Sequence, residues 1–299
     1  MTASAPSVKS ESLPVIGLVA GDPAGVGPEL LAEALRHVPE GVRLEVIGDP
    51  LPRHPGHPDL EGAKLAMASL EEAARRCMAG ELAAVVTGPV SKKHLHEAGF
   101  RYPGQTEFFA ARAGVENFAM LLTGGPLTVA LVTAHVPLRE VASLLTTEEI
   151  VRVGSLLAAF LHRRGIAPPR IAVAGLNPHA GEQGDLGDEE TRLIEPALPL
   201  LSAACPGATF TGPFSPDTVF WRAANGEFDA ILCMYHYQGL IPLKLLGFHD
   251  GVNVTLGLPF VRTSPDHGTA YEIAGTCKAR PDSFLSAVRL AAELVTRRM

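Results

Sequence analysis

Short apolar runs alternate with helix-like segments along almost the whole chain, and this alternation restricts the possible folds most strongly. Buried strands are predicted at 14–20, 83–90, 128–134 and 230–234. Continuous apolar runs of this length are typical of strands that are covered on both faces, as in parallel sheets. The sequence therefore predicts an α/β protein with a largely parallel sheet, in which ligands bind at the carboxyl ends of the strands.

Three predicted strands, at 128–134, 171–174 and 230–234, are each followed closely by a histidine. These histidines are His135, His179 and His236. The strand before His236 is expected to give way to a turn at Gly239. Neutral imidazoles are good ligands for Zn²⁺, and three protein ligands leave one position open for substrate. The three histidines together predict a metal site assembled by the fold, although any one of them alone is more often a capping or surface residue.

Two cations, Lys244 and Arg262, follow apolar stretches on either side of Asn253. Because an unpaired buried charge is costly, each cation needs a partner. That partner is either a structural carboxylate or an anionic substrate, and the sequence leaves both open. Asp217, in a Pro-Asp-Thr segment, is either an ordinary turn or helix-cap aspartate or a base near the metal.

A glycine-rich loop at 21–27 precedes the first predicted helix. Such a loop can bind an anion on its free amides, or it can simply make a tight turn between strand and helix. Its G-x-x-x-G-x-G spacing is neither the dinucleotide-binding fingerprint nor a P-loop.

Composition excludes several classes of function. The formal net charge of −7 argues against general affinity for nucleic acid or anionic membrane. No apolar run approaches the roughly 18 residues of a membrane helix. The first 13 residues lack a signal-peptide pattern and the four cysteines show no paired spacing, so we expect a cytoplasmic protein with reduced thiols. A length of 299 residues suggests two domains or lobes.

Seven motifs, taken together, resemble those of the 4-hydroxythreonine-4-phosphate dehydrogenase (PdxA) family. They occur in the family's order and span nearly the whole chain. The motifs are GDPAGVGPE (21–29), TGPVSK (87–92), GQTEFF (104–109), NPHAGE (177–182), MYHYQGL (234–240), GVNVTL (251–256) and DHGTA (266–270).

The resemblance implies a two-lobed fold of the isocitrate/isopropylmalate-dehydrogenase type, with α/β/α lobes. One lobe would comprise residues 1–100 and 255–299, and the other residues 101–254, with the metal-ligand strands and the dimer interface. Two subunits of a homodimer would share each active site. The implied cofactors are NAD or NADP and a divalent metal, with zinc as the first choice and magnesium or cobalt as alternatives. The cofactor-binding residues stay unknown.

The functional residues of the family can be placed on this sequence position by position. The resemblance implies that Asp217 is catalytic and that the metal ligands are His135, His179 and His236. The implied substrate-binding residues are Gln105, Thr106, Lys244, Asn253 and Arg262.

Two positions depart from the family pattern. The family usually has His where this chain has Gln105, and Asp where it has Tyr237. Glutamine can hydrogen-bond a phosphate or hydroxyl but cannot carry a proton or a positive charge. Tyrosine supplies a neutral phenol where an aspartate would orient a metal-binding histidine. Both changes fall at the site, which favours a paralogue with an altered substrate over a decayed enzyme.

The resemblance predicts a metal-dependent NAD(P) dehydrogenase that oxidises the secondary alcohol of a hydroxy acid, with decarboxylation. The first-choice substrate is 4-phosphooxy-L-threonine, in pyridoxal phosphate biosynthesis. Alternatives are a carboxylated aromatic cis-dihydrodiol of the terephthalate type and a phosphorylated four-carbon sugar acid. A hypothesis from another class is a metal- or ligand-binding protein that has lost turnover, and NAD(P)⁺ reduction distinguishes the two classes.

Overall fold

A computed structural model describes residues 13–297. The polar N-terminal stretch used to predict the absence of a signal peptide lies almost wholly outside the described residues. Within residues 13–297 the strands are β1 Val15–Val19, β2 Arg43–Val46, β3 Ala84–Thr87, β4 Ala119–Gly124, β5 Leu127–Leu131, β6 Arg170–Ala174, β7 Thr209–Phe214, β8 Ala230–Cys233, β9 Val252–Leu256 and β10 Val261–Pro265. The α-helices are α1 Gly27–Arg36, α2 Leu60–Met78, α3 Lys92–Glu97, α4 Gln105–Ala113, α5 Val141–Leu144, α6 Thr147–Arg163, α7 Glu195–Ala204, α8 Pro216–Ala224, α9 His236–Leu246 and α10 Asp282–Thr296. Short 3₁₀ or π turns lie at Leu138–Glu140, Pro178–Gly184, Glu190–Ile194 and Tyr271–Ile273.

The strands of residues 13–297 form one continuous sheet in the order β2-β1-β3-β10-β9-β4-β5-β8-β6-β7. Six neighbouring pairs are parallel. The three antiparallel pairs join the middle strands, from β10 through β9 and β4 to β5. The predicted α/β class with a largely parallel sheet is confirmed.

The sequence analysis missed strand β4, which pairs with β5 as a hairpin. The two strands are joined by Gly125 and Pro126, and Gly125 has a φ of +52°. A Gly-Gly pair between two apolar runs is a hairpin signal, and it was available in the sequence. A second correction concerns His236, which begins helix α9. Gly239 lies inside that helix, so the predicted turn there is wrong.

The helices cover the two faces of the sheet unequally. On one face a single core cluster extends from Leu30 of α1 to Leu161 of α6 and Phe284 of α10. On the other face there are two separate clusters, one under α2 and α4 and one under α8 and α9. Helix α9 packs on β4 and β5, so the helical layer on this second face is interrupted over β9 and β10.

Side-chain alternation decides which residues face that interruption. In β9, Val254 belongs to the continuous core, so its neighbours Asn253 and Thr255 point to the opposite face. In β10, Val261 belongs to the continuous core, so Arg262 likewise points to the opposite face. The middle strands thus present polar side chains where no helix covers them.

The glycine-rich loop at 21–27 forms a tight strand-to-helix turn. The Asp22 amide donates to Pro89 O at 2.9 Å, and the Val26 amide donates to Thr269 O at 2.9 Å. These amides are bonded within the protein itself, so the loop does not offer the free amides that a cofactor pyrophosphate would need. Of the two interpretations left open by the sequence, the structure favours the turn.

The division into lobes at residues 101 and 254 stays a prediction. Helix α4 follows residue 100, yet its Phe108 and Phe109 pack in one cluster with Leu70 of α2.

All four cysteines lie within residues 13–297 and are unpaired. None of the helices in that range is both long and apolar enough to cross a membrane.

Helix α6 supplies a stability prediction. The sequence Thr146-Thr-Glu-Glu149 is typical of a capping box, and Thr146 Oγ1 accepts a hydrogen bond from the Glu149 amide at 3.2 Å. The Glu149 carboxylate accepts from Arg152, so the threonine carries the cap. Thr146→Ala should lower the free energy of unfolding by about 1 kcal/mol, measured by urea denaturation, whereas Thr146→Ser should stay close to the wild type. Equal stability of the Ala variant would contradict this role.

Candidate active site

A cleft of about 350 Å³ lies over the middle strands, where the helical layer is interrupted. It gathers all five side chains predicted to bind substrate, together with one predicted metal ligand. These residues are Gln105, Thr106, Lys244, Asn253, Arg262 and His135. They come from two helices, two strands and a loop that are far apart in sequence, so the fold alone brings them together.

Arg262 is the most deeply buried charge in the cleft, with 3% of its surface exposed. Its Nη2 donates to Thr87 Oγ1 at 2.8 Å and to Gln105 Oε1 at 3.0 Å, and its Nη1 donates to Thr255 Oγ1 at 3.3 Å. No carboxylate of residues 13–297 lies within ion-pairing distance of it. Burial lowers the pKa of Arg262 to about 10, and the charge of Glu107 opposes this shift. The guanidinium is therefore positively charged at neutral pH, hydrogen-bonded and not neutralised.

Lys244 has a different environment. Its Nζ lies 3.0 Å from Asp266 Oδ2 and also donates to Asp266 O at 3.2 Å. The sequence left a structural carboxylate and an anionic substrate open as partners for both cations. The structure pairs Lys244 with a carboxylate and leaves Arg262 without one, so Arg262 is the group available for an anion.

Unsatisfied polar atoms concentrate at this site. Within residues 13–297, five buried side-chain nitrogen or oxygen atoms lack a hydrogen-bond partner, and four of them belong to the cleft or its rim. These four are Glu107 Oε2, Asn253 Oδ1, Arg262 Nε and His236 Nδ1. Because buried polar groups are normally paired, this concentration marks the cleft as the candidate ligand site.

Glu107 is a cleft residue that the sequence analysis did not single out. It lies in the first turn of α4, and its Oε1 is 3.8 Å from His135 Nδ1. Interaction with His135 lowers the pKa of Glu107, although burial opposes that shift. In the sequence it appears only as an acidic residue near a helix start, a position that dipole complementarity explains equally well.

His135 and His236 lie side by side, with ring centroids 5.3 Å apart. Both follow neighbouring parallel strands, β5 and β8, and the Thr133 amide donates to Met234 O at 3.1 Å just before them. Burial, followed by the charge of His135, lowers the pKa of His236 and favours the neutral imidazole that a metal requires. Together with the unpartnered Nδ1, this arrangement fits two ligand positions of a divalent metal site.

His179 and Asp217 do not join this pair. The His179 side chain is 67% exposed and lies 3.3 Å from Glu182. Asp217 is exposed in the first turn of α8, where it accepts a hydrogen bond from Ser215, and α8 packs against the turn that carries His179. Among residues 13–297, no three His, Cys, Asp or Glu side chains are grouped to hold a metal. One copy of the chain thus presents the predicted metal and catalytic residues as two separate groups.

Tyr237, the second departure from the family pattern, stands edge-on to His236 with ring centroids 5.3 Å apart. It is 63% exposed, and it begins a row of exposed apolar side chains on α9. Ile241 and Leu245 continue this row at 66% and 82% exposure. Their i, i+4, i+8 spacing places the three side chains on one face of the helix.

Comparisons with known proteins agree on one family. The sequence profile of the family described as pyridoxal phosphate biosynthetic protein PdxA matches residues 28–291. The 4-hydroxythreonine-4-phosphate dehydrogenase of Desulfosudis oleivorans is 44% identical, over 93% of this chain and 95% of that protein. The D-threonate 4-phosphate dehydrogenase of Pectobacterium atrosepticum is 38% identical, over 94% of this chain and 99% of that protein.

Solved structures give the same result. The 4-hydroxythreonine-4-phosphate dehydrogenase of Klebsiella pneumoniae is similar with a TM-score of 0.80 and 37% identity, over 95% of this chain and 100% of that one. A terephthalate 1,2-cis-dihydrodiol dehydrogenase of Burkholderia xenovorans has a TM-score of 0.69 and 27% identity, over 94% and 98%. An isocitrate dehydrogenase of Methylococcus capsulatus shares the fold, with a TM-score of 0.52 and 13% identity over 92% and 83%. The resemblance and fold type predicted from the motifs are confirmed.

The uncompensated charge of Arg262 leads to a prediction about stability. Arg262→Met removes a buried cation that has no carboxylate partner, so the ligand-free variant should keep its cooperative unfolding and a melting temperature close to that of the wild type. Inorganic phosphate at 100 times its Kd should stabilise the wild type by about 2.7 kcal/mol and should not stabilise the variant. Thermal unfolding with and without phosphate measures both effects. A variant that phosphate stabilises as much as the wild type would exclude Arg262 as the anion-binding group.

Proposed function

We propose that this chain, which belongs to the family described as pyridoxal phosphate biosynthetic protein PdxA, oxidises the secondary alcohol of a phosphorylated hydroxy acid with NAD(P)⁺. Its relatives are named as dehydrogenases, and the chain is an oxidoreductase of that type. The proposed reaction includes decarboxylation of the resulting keto acid. The observation that carries the proposal is the buried, uncompensated guanidinium of Arg262 at the floor of the cleft. A planar guanidinium suits the oxygens of a phosphate or carboxylate particularly well.

The proposed substrate is 4-phosphooxy-L-threonine, and D-threonate 4-phosphate is the phosphorylated four-carbon alternative. Relatives named for each of these two activities are similar to this chain over most of its length. The carboxylated cis-dihydrodiol of the terephthalate type is a further alternative. The cleft floor carries hydroxyl, amide and guanidinium groups from Thr106, Asn253 and Arg262, which supports a phosphorylated substrate over a flat aromatic one.

The side chains of the cleft have distinct proposed roles. Arg262 binds the anionic group, while Thr106, Asn253 and the Lys244 ammonium orient the rest of the substrate. Asn253 Oδ1 is unpartnered and accepts a hydrogen bond from a substrate hydroxyl or amine. Asp217 is the proposed acceptor of the hydroxyl proton. The residues that bind the nicotinamide cofactor are not assigned.

His135, His236 and His179 of the partner subunit are proposed to hold a divalent metal, zinc before magnesium or cobalt. A metal bound there would supply Lewis acidity and lower the pKa of the substrate hydroxyl. Since His179 and Asp217 lie apart from the cleft in one copy, the site is proposed to be completed by a second copy in a homodimer. The exposed row Tyr237, Ile241 and Leu245 starts beside His236 and supports an interface there.

The proposed partners are a small anionic substrate and a second copy of the chain, with no nucleic acid and no membrane. The proposed location is the cytoplasm. The competing hypothesis is a protein that binds metal or ligand without turnover. Similarity to relatives named as dehydrogenases over more than nine tenths of this chain supports the enzyme instead.

A direct assay tests the proposed reaction. The metal-loaded protein should reduce NAD(P)⁺, followed by nicotinamide absorbance, with a phosphorylated four-carbon acid, and should do so poorly with the aromatic dihydrodiol. His236→Ala should lose both bound metal, measured by elemental analysis, and turnover. If the metal-loaded protein reduces NAD(P)⁺ with none of 4-phosphooxy-L-threonine, D-threonate 4-phosphate and the cis-dihydrodiol, the binding-protein hypothesis is favoured. Full activity of His236→Ala would remove its assignment as a ligand.

Mixing subunits tests the shared site. His179→Ala and His236→Ala should each be inactive, because every site lacks one ligand. In a mixed dimer, one of the two sites takes His236 from one chain and His179 from the other, and is intact. Random exchange makes half of the dimers mixed, so roughly a quarter of the wild-type activity should return. Mixed dimers that form, as shown by mass spectrometry, but stay inactive would contradict a shared site.

A further inference from the structure

Gln105 uses both ends of its side-chain amide within the protein. Its Nε2 donates to Gly88 O at 3.1 Å, and its Oε1 accepts from Arg262 Nη2 at 3.0 Å. The amide therefore connects the loop after β3 to the guanidinium at the floor of the cleft. Each half of the amide therefore makes its hydrogen bond within the protein.

Helix α4 supplies a second contact to the same guanidinium. Phe109 lies one helical turn after Gln105, and the Arg262 guanidinium carbon is 5.8 Å from the centroid of the Phe109 ring. Residues at i and i+4 share one helix face, so the amide and the aromatic ring approach Arg262 together. Helix α4 thus contacts the guanidinium through two side chains, a hydrogen-bonding amide and an aromatic ring.

Every hydrogen-bond acceptor that holds Arg262 is neutral. The acceptors are the hydroxyls of Thr87 and Thr255 and the Gln105 carbonyl. A carboxylate in any of these positions would orient the guanidinium but would also neutralise it, as Asp266 does for Lys244. Orientation without neutralisation leaves the full charge for a ligand.

We propose that Gln105 is a positioning residue that orients Arg262 for the anionic group of the substrate without neutralising its charge. The inference rests on the proposed anionic substrate and differs from the direct substrate contact that the family pattern implies for this position. Gln105 then acts on substrate binding through Arg262. Its loss should weaken the binding of an anion more strongly than it slows the chemical step.

Phosphate binding in paired variants tests the proposal, with inorganic phosphate as the probe in titration calorimetry. Gln105→Ala should weaken phosphate binding about ten-fold, because it removes one hydrogen bond to a charged group. In the Arg262→Lys background the same change should have less than about a two-fold effect, since an ammonium is not oriented by that bond. A ten-fold effect in both backgrounds would mean that Gln105 contacts the anion independently, and would overturn the proposal.

Two further variants separate positioning from general destabilisation. Gln105→Glu keeps an acceptor for Arg262 but adds a compensating charge, so it should bind phosphate more weakly than Gln105→Ala does. Gln238→Ala removes another buried glutamine, which donates to Gly175 O at 2.6 Å and does not line the cleft. This control should unfold more easily while binding phosphate like the wild type. Phosphate binding by Gln105→Glu at wild-type strength would overturn the proposal.

A second measurement separates this inference from the proposed function. In the ligand-free protein, the unfolding effects of Gln105→Ala and Arg262→Met should be non-additive, because the two residues are in direct contact. Additive effects would overturn the positioning role whatever the substrate is. A wild type that binds no phosphate and reduces no NAD(P)⁺ would instead remove the proposed function, and the unfolding cycle would still decide whether Gln105 holds Arg262.

Discussion

The position of the cleft depends on one constraint, the unequal coverage of the two faces of the sheet. Helices α1, α6 and α10 belong to a continuous core on one face and cover the sheet there. On the other face the helices form two groups, and β9 and β10 between them lack a helical cover. Because side chains alternate along a strand, β9 and β10 can contribute apolar residues to the core and polar residues to the cleft at the same time.

Placing Arg262 at the floor of the cleft has a free-energy cost. Taking a guanidinium out of water without a carboxylate partner is unfavourable, and burial lowers its pKa accordingly. The protein offsets part of that cost with three neutral hydrogen-bond acceptors and an aromatic ring. Under the proposed function, the binding of an anionic substrate offsets the remaining cost. The departure at Gln105 fits this arrangement, because an amide holds the guanidinium and leaves its charge unchanged.

The arrangement of the histidines gives a physical reason for the proposal that two copies of the chain share each metal site. Strands β5 and β8 are parallel neighbours, so the residues that follow them, His135 and His236, meet at one edge of the sheet. Strand β6 also neighbours β8, but the turn after it leaves His179 exposed beside Glu182. The predicted site residues His179 and Asp217 are exposed, and α9 carries an exposed apolar face, which is a feature typical of interaction surfaces. Together they are what a second copy would cover.

Several features could be predicted from the sequence because they depend on local patterns. Apolar runs and their spacing gave the strands and the α/β class, and the motifs gave the family. The hairpin of β4 was missed, although Gly124 and Gly125 signal it. The pairing of His135 with His236 followed from the rule that ligands bind at strand ends, whereas the separation of His179 depends on a turn whose course the sequence does not specify.

The choice of partner for each buried cation was decided only by the tertiary structure. Lys244 and Arg262 look alike in sequence, each following an apolar stretch. In the fold, Asp266 lies within 3.0 Å of one, while neutral acceptors from β3, α4 and β9 surround the other. Those contacts join residues up to 175 positions apart, so no local pattern encodes them. The sequence by itself predicted which residues carry the chemistry, and the packing of distant strands and helices decided which of the two cations has no carboxylate partner.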